Sequence, residues 1–179
     1  KTVEEVCERL NDNGYDATRY HAGLDDDERQ KNQDDFIYDR YEIMVATNAF
    51  GMGIDKSNVY LVVHYNMPKN IESYYQEAGR AGRDGGDADC IMLYSARDVN
   101  TARYFIENPD ENSEISDQMR IKIMEKDFER LKMMTFYCTT SECLRALILE
   151  YFGENPPLNC DNCGNCNTNF ETTDITVDA

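Results

Sequence analysis

The sequence predicts an α/β fold, an open parallel sheet with packed helices, followed by a small helical subdomain that carries cysteines. Three observations lead there. Short β-branched apolar runs alternate with stretches of helical period up to about Tyr94. From about Ala96 the period is helical alone. Five of the seven cysteines then crowd into the last quarter of the 179 residues, at Cys138, Cys143, Cys160, Cys163 and Cys166. The expected boundaries are 1–100 for the α/β lobe, 101–170 for the helical, cysteine-bearing subdomain and 171–179 for a polar tail.

Residues 2–13 place Val3, Val6, Cys7 and Leu10 at i, i+3, i+4 and i+7, an amphipathic helix that Asn13-Gly14 ends. A strand that would ordinarily feed this helix is expected ahead of Lys1. Ala17–His21 reads as a short strand. Asp25, with Glu28 three residues on, forms an N-cap signal for a second helix to about Tyr38. Glu42–Thr47 and Tyr60–Tyr65 are apolar, β-branched runs typical of buried parallel strands. Asn70–Arg80 is helical, and Asp89–Tyr94 is a further buried strand. Asn108-Pro109-Asp110-Glu111-Asn112 marks a turn or linker. Ile115–Tyr137 and Thr140–Phe152 are then helices, the second with Leu144, Leu147, Ile148 and Tyr151 on one face. Gly153 through Pro156-Pro157 breaks it.

Composition bounds the function. Apolar residues make up 41% and aromatics 11%, enough for a packed core, so wholesale disorder is not expected. No apolar run approaches the roughly 18 residues of a membrane span, and no signal peptide opens the chain, so no membrane partner is expected. The net charge is −17, from 18 basic and 35 acidic residues. Residues 1–100 hold 11 basic against 20 acidic groups and the remainder 7 against 15, so the acid is a spread, solubilising surface and not a tail. Phosphate affinity comes from Lys and Arg, so a freestanding polyanion binder looks wrong at this charge. A local basic stripe would still escape a net-charge count.

Cys7 and Cys90 lie in apolar stretches and read as buried core thiols. An odd cysteine count without an export signal argues against a disulfide framework and for a reducing compartment, the cytoplasm. Cys160-Asp-Asn-Cys163-Gly-Asn-Cys166 puts three thiols in seven residues, with Gly164 to permit the tight turn of a knuckle. A tetrahedral zinc site wants four thiolates or imidazoles. Cys143, near a helix start 17 residues before Cys160, is the favoured fourth ligand, with Cys138 the rival. The C-x2-C-x2-C spacing also begins a ferredoxin-type iron–sulfur run, although that run needs a further cysteine and residues 167–170 are Asn-Thr-Asn-Phe. Zinc on Cys143, Cys160, Cys163 and Cys166 would be closed and structural, because four thiolates leave no open position.

Gln76-Glu-Ala-Gly-Arg80-Ala-Gly-Arg83-Asp-Gly85 carries the strongest functional signal. Gln76, Arg80 and Arg83 fall at i, i+4 and i+7, one polar stripe if the helix continues. The glycines suggest a close approach to the backbone, and two convergent guanidinium groups suit a phosphate. Asn48 through Asp55 is the loop at the carboxyl end of a buried strand, the edge where ligands of open α/β sheets bind. Gly51 and Gly53 let it turn, and Asp55 is placed to accept a ribose hydroxyl or orient an arginine. No G-x-x-x-x-G-K-[ST] loop is present, so only half of a nucleotide site is here.

Tyr20-His21-Ala22-Gly23-Leu24, Val45-Ala46-Thr47 running on to Gly51-Met-Gly-Ile-Asp55-Lys56, and Tyr74 through Gly85 resemble the second motor lobe of RecQ-family DNA helicases. Cys143-Leu-Arg145, Tyr151-Phe-Gly-Glu154 and Cys160–Cys166 resemble that family's zinc-binding subdomain. The resemblance implies a RecA-like lobe of P-loop NTPase type, from an ATP-driven, 3′→5′ DNA helicase of recombination and repair, working at the nucleoid. ATP with Mg2+ would sit between this lobe and a first RecA-like lobe of the same protein, and the chain alone would be inactive. Arg80 and Arg83 would reach the γ-phosphate, Arg83 as arginine finger. Gln76 would couple the site to DNA, and Gly53 and Asp55 would lie beside the nucleotide. His21, Ala22, Gly23 and Thr47 would touch the DNA backbone of single strands and duplex junctions, with a hydrogen-bonded strand-end histidine the alternative for His21; His64, mid-strand in an apolar run, reads as core. Leu144 departs from the family, where many members carry a second arginine. A non-catalytic, zinc-containing DNA-binding or scaffold protein on a degenerate lobe is the alternative.

Overall fold

A computed structural model describes residues 2–50, 56–109 and 116–168. Gly51, Gly53 and Asp55 lie outside the described residues, as does the polar tail. The chain divides into two compact units, residues 1–59 with 82–86, and residues 60–81 with 87–179.

In the first unit, α1 (Thr2–Asp12), β1 (Ala17–Tyr20), α2 (Asp26–Ile37) and β2 (Ile43–Ala46) follow the alternation in the sequence. Gly14, at φ 84°, takes the left-handed position that ends α1. The Asp25 carboxylate caps α2 by accepting the Glu28 amide at 2.8 Å. The reciprocal half of a capping box is absent, because Glu28 instead accepts Arg19 at 2.9 Å. β1 and β2 pair in parallel, from Ala17 opposite Ile43 to Tyr20 opposite Ala46. Asn11 clamps α1 to the strand: its amide donates to the Ala17 carbonyl and its oxygen accepts the Ala17 N–H, at 3.0 and 3.1 Å. Asn32 ties α2 to β1 through the Arg19 carbonyl at 3.0 Å. Cys7, Ala17 and Phe36 form the buried apolar centre, so Cys7 is the core thiol expected.

The second unit holds β3 (Leu61–His64), α3 (Ile71–Ala78), β4 (Asp89–Met92), α4 (Ala96–Glu107), α5 (Asp117–Thr139) and α6 (Leu144–Tyr151). β3 and β4 are parallel, with Leu61 opposite Asp89 and His64 opposite Met92. Asn70, Ser95 and Ser116 cap α3, α4 and α5 by accepting amides two or three residues on. Met67, Ile71, Tyr74, Leu131, Met134 and Tyr137 make the core, and Leu144, Leu147, Ile148 and Tyr151 pack on it. The apolar face read for α6 therefore closes onto α3 and α5. His64 is buried, its ring 5.0 Å from Tyr74 and its Nε2 3.0 Å from the Glu77 carboxylate, a core histidine as expected.

Two expectations need correcting. β3 and β4 were expected to be buried on both faces, yet Leu61, Val63 and Ile91 are exposed. Among the described residues each sheet has two strands; β3 alternates between exposed and covered positions, with His64 against Tyr74 of α3, while Asp89, Cys90 and Ile91 of β4 are all exposed. Cys90, on β4, is exposed and not a core thiol.

Candidate metal centre and strand-edge site

Cys143 is the N-cap of α6, its Sγ accepting the Ala146 amide at 3.4 Å. The chain returns after α6, and the knuckle brings Cys160, Cys163 and Cys166 to the same point. All four sulfurs lie within 4.8 Å of one another, with Cys143 to Cys163 at 3.9 Å and Cys160 to Cys166 at 4.0 Å. A Zn–S bond of about 2.3 Å in a tetrahedron puts sulfurs about 3.8 Å apart, so the donor set fits zinc. Burial opposes ionisation of Cys143 and Cys163. Amide donors and neighbouring thiols outweigh it, holding Cys143 below its ordinary range and Cys163 down at about 6. Metal binding requires thiolates, and Cys143 and Cys163 are the two thiols whose surroundings favour that form, whereas Cys166 is pushed up to about 11.

Cys138 is not in this cluster. Its sulfur contacts Met92 Sδ at 3.1 Å in the core, where burial pushes its thiol up to about 11. The left-handed residue of the knuckle is Asp161, at φ 52°, and not Gly164, which takes no positive φ. Asn165 has a part that the spacing of thiols does not reveal. Its amide donates to the Thr140 and Glu142 carbonyls at 2.9 and 2.7 Å, fastening the knuckle to the loop before α6.

The arginine segment does not continue α3. The helix ends at Ala78 with Gly79 as its C-cap, whose N–H donates to the Tyr75 carbonyl at 2.9 Å. A Cβ on Gly79 would sit 3.0 Å from that carbonyl oxygen, so the close approach is the chain's own. Gly82 and Gly85 take φ of 69° and 83° and close a turn through a 3.0 Å hydrogen bond, with Arg83 and Asp84 between them. The single polar stripe therefore does not form. Gln76 is exposed on the last turn of α3, Arg80 is half-buried just beyond its end, and Arg83 is exposed on the glycine turn.

The carboxyl edge of β1 and β2 brings His21, Ala22, Gly23 and Thr47 near one another. The Thr47 N–H donates to the Tyr20 carbonyl at 3.1 Å, prolonging the ladder, so Thr47 leaves β2 beside His21 leaving β1. His21 through Leu24 is a turn closed by the Leu24 N–H on the His21 carbonyl at 3.2 Å. Ala22, Gly23 and Thr47 are exposed and His21 is half-buried. The His21 Nδ1 accepts the Gly23 N–H at 3.1 Å, and its Nε2 lies 2.7 Å from Glu4 on α1. That contact, together with Arg19 at 2.7 Å, holds the Glu4 carboxyl below its ordinary range. Sequence reading had missed Glu4, which is 17 residues from its partner.

Residues 1–85 match the helicase conserved C-terminal domain family, and residues 96–167 match the RecQ zinc-binding family. Over 179 residues, the whole chain, it is 44% identical to an ATP-dependent DNA helicase RecQ of Bacillus subtilis, of which it covers 29%. It is 39% identical over 165 residues to the ATP-dependent DNA helicase RecQ of Pasteurella multocida, a match spanning 92% of this chain and 24% of that protein. A solved structure of a Saccharomyces cerevisiae Dbp5 variant bound to Gle1 and IP6 aligns at a TM-score of 0.51 and 24% identity, over 72% of this chain and 36% of its own. That last likeness is one of fold. The zinc-binding match and the four-thiol geometry together decide for structural zinc over an iron–sulfur cluster. Carrying these two domains in this order, the chain belongs to the RecQ family, as its RecA-like helicase C-terminal lobe followed by its zinc-binding domain.

Proposed function

We propose that this chain is the second motor lobe and zinc subdomain of an ATP-dependent DNA helicase that moves 3′→5′ in DNA recombination and repair. One observation carries the reading: a strand-edge loop, an arginine turn and a four-thiol site follow one another on a chain whose relatives at 44% and 39% identity are named ATP-dependent DNA helicases. ATP with Mg2+ is the substrate, bound against a first RecA-like lobe. Arg83, exposed on its glycine turn, supplies the arginine finger, and Arg80 a second guanidinium for the γ-phosphate. Gln76 couples that phosphate to the strand. Single-stranded DNA and duplex junctions are held by their backbone along the carboxyl edge of β1 and β2, at His21, Ala22, Gly23 and Thr47, without reading sequence. Zinc supplies a cross-link between the start of α6 and the knuckle, and takes no part in hydrolysis.

The test needs a protein with both motor lobes. Arg83→Ala is expected to cut DNA-stimulated ATP hydrolysis by about 10³-fold or more, with nucleotide affinity within about threefold. Turnover close to the parent's would withdraw the finger from Arg83.

A further inference from the structure

Neither nitrogen of His21 faces an open ligand position. An N–H can only donate, so Nδ1, 3.1 Å from the Gly23 amide, must present its lone pair. The ring proton is then on Nε2, directed at the Glu4 carboxylate 2.7 Å away. The other Glu4 oxygen takes the Nε of Arg19 at 2.7 Å, and Arg19 reaches on to Glu28 at 2.9 Å. The ring also fills the space beside the turn: a Cβ on Gly23 would lie 3.1 Å from Nδ1 and 3.2 Å from Cε1. Only 19% of the histidine side chain is exposed.

We infer that His21 and Glu4 are positioning residues, Glu4 fixing the ring so that Nδ1 holds the Gly23 amide, and that within the proposed edge His21 acts through the turn while the direct contacts to the strand fall to the exposed Ala22, Gly23 and Thr47. This rests on the nucleic-acid reading of the β1–β2 edge. It sets an electrostatic expectation against a structural one. Removing a carboxylate beside a phosphate backbone should tighten binding if charge alone mattered. If Glu4 builds the turn, its loss weakens binding instead.

The experiment measures the affinity of an oligothymidylate single strand for the two-lobe protein. Glu4→Ala is expected to weaken binding about tenfold, the equivalent of one hydrogen bond. Glu4→Gln, which keeps an acceptor for Nε2, should stay within about threefold of the parent. His21→Asn places an amide oxygen where Nδ1 stands and should bind better than His21→Ala, since the Asn retains the Gly23 contact as an Asx turn. In the 179-residue chain, which has two histidines, 15N spectra should find His21 as the neutral Nε2–H tautomer. Unchanged or tighter binding in Glu4→Ala, or His21→Asn no better than His21→Ala, would overturn the positioning role. Thr47→Glu separates that failure from the broader one. If Thr47→Glu leaves affinity untouched, the strand does not lie on this edge and both readings fall. If it weakens binding while Glu4→Ala does not, only the positioning role falls.

Discussion

Replacing Cys143 with serine removes a metal ligand while leaving the helix cap in place. Serine is among the preferred N-cap residues, so its hydroxyl can accept the Ala146 amide that the Cys143 sulfur now accepts at 3.4 Å. The cap contribution nearly cancels, and what remains is the metal. Structural zinc in finger peptides is worth about 10–16 kcal/mol, so an even share for one thiolate of four is about 2.5–4 kcal/mol. That corresponds to zinc held about 10²- to 10³-fold more weakly, read by chelator competition with elemental analysis of the anaerobically purified chain. The loss should be local. Segment 160–168 contains no regular element and is tied down by the sulfurs and by Asn165. The core around Met134 is made by Met67 and by side chains of α3 and α5, none of them a zinc ligand. Hydrogen exchange should therefore rise in α6 and the knuckle and stay low in the middle of α5. Parental zinc affinity in Cys143→Ser, zinc lost in Cys138→Ser, or iron in the unaltered chain would each refute the reasoning.

Three further outcomes are expected. Met134 is fully buried, and Met134→Ala should lower unfolding free energy by about 2–5 kcal/mol in urea, with zinc content unchanged. Gly82→Ala forces a Cβ into a φ of 69° and should cost about 1–2 kcal/mol, seen as a lower Tm. Asp35 is buried, and hydrogen bonds from Lys31 and then Arg40, both at 2.7 Å, hold its carboxyl below the ordinary value of 3.8. A carboxylate depressed on folding gives stability that is whole above its unfolded value and is lost as pH falls through the folded one. The chain should therefore lose stability progressively on acidification below about pH 4, and Asp35→Asn should flatten that part of the curve.

What could be read from the sequence was what local chemistry decides. Asp25 with Glu28, and Asn13 with Gly14, act within a turn or two of chain, and each caps or ends its helix as its residue type dictates. The four zinc ligands were legible for the same reason: three share a knuckle and the fourth starts a helix. The failures lie where a neighbour distant in sequence decides. A parallel strand's exposure depends on what covers each face, which the runs at Leu61 and Cys90 do not state. The arginine stripe fails for a different, local reason: Gly79 stops the helix three residues past Gln76, and helical spacing alone does not carry that stop. Glu4 was missed because its partner lies across α1 and β1, and nothing in either residue's own segment names the other.

The charge of −17 and a nucleic-acid role conflict only if affinity must come from this chain's cations. Within the first unit the cations are largely engaged at home. Arg19 is shared by Glu4 and Glu28, Lys31 and Arg40 flank Asp35, Lys56 pairs with Asp39, and Arg29 with Asp26. Those pairs hold these cations within the unit, and the β1–β2 edge itself presents small exposed residues, Ala22, Gly23 and Thr47. An edge of that kind can hold a strand by shape and hydrogen bonding, with little counterion release of its own. In the proposed helicase, the second lobe would then grip the strand in a way that a change of turn geometry can make or break. Fixing that turn by a neutral histidine and a carboxylate, and not by a salt-sensitive cation, is consistent with an acidic chain working on a polyanion.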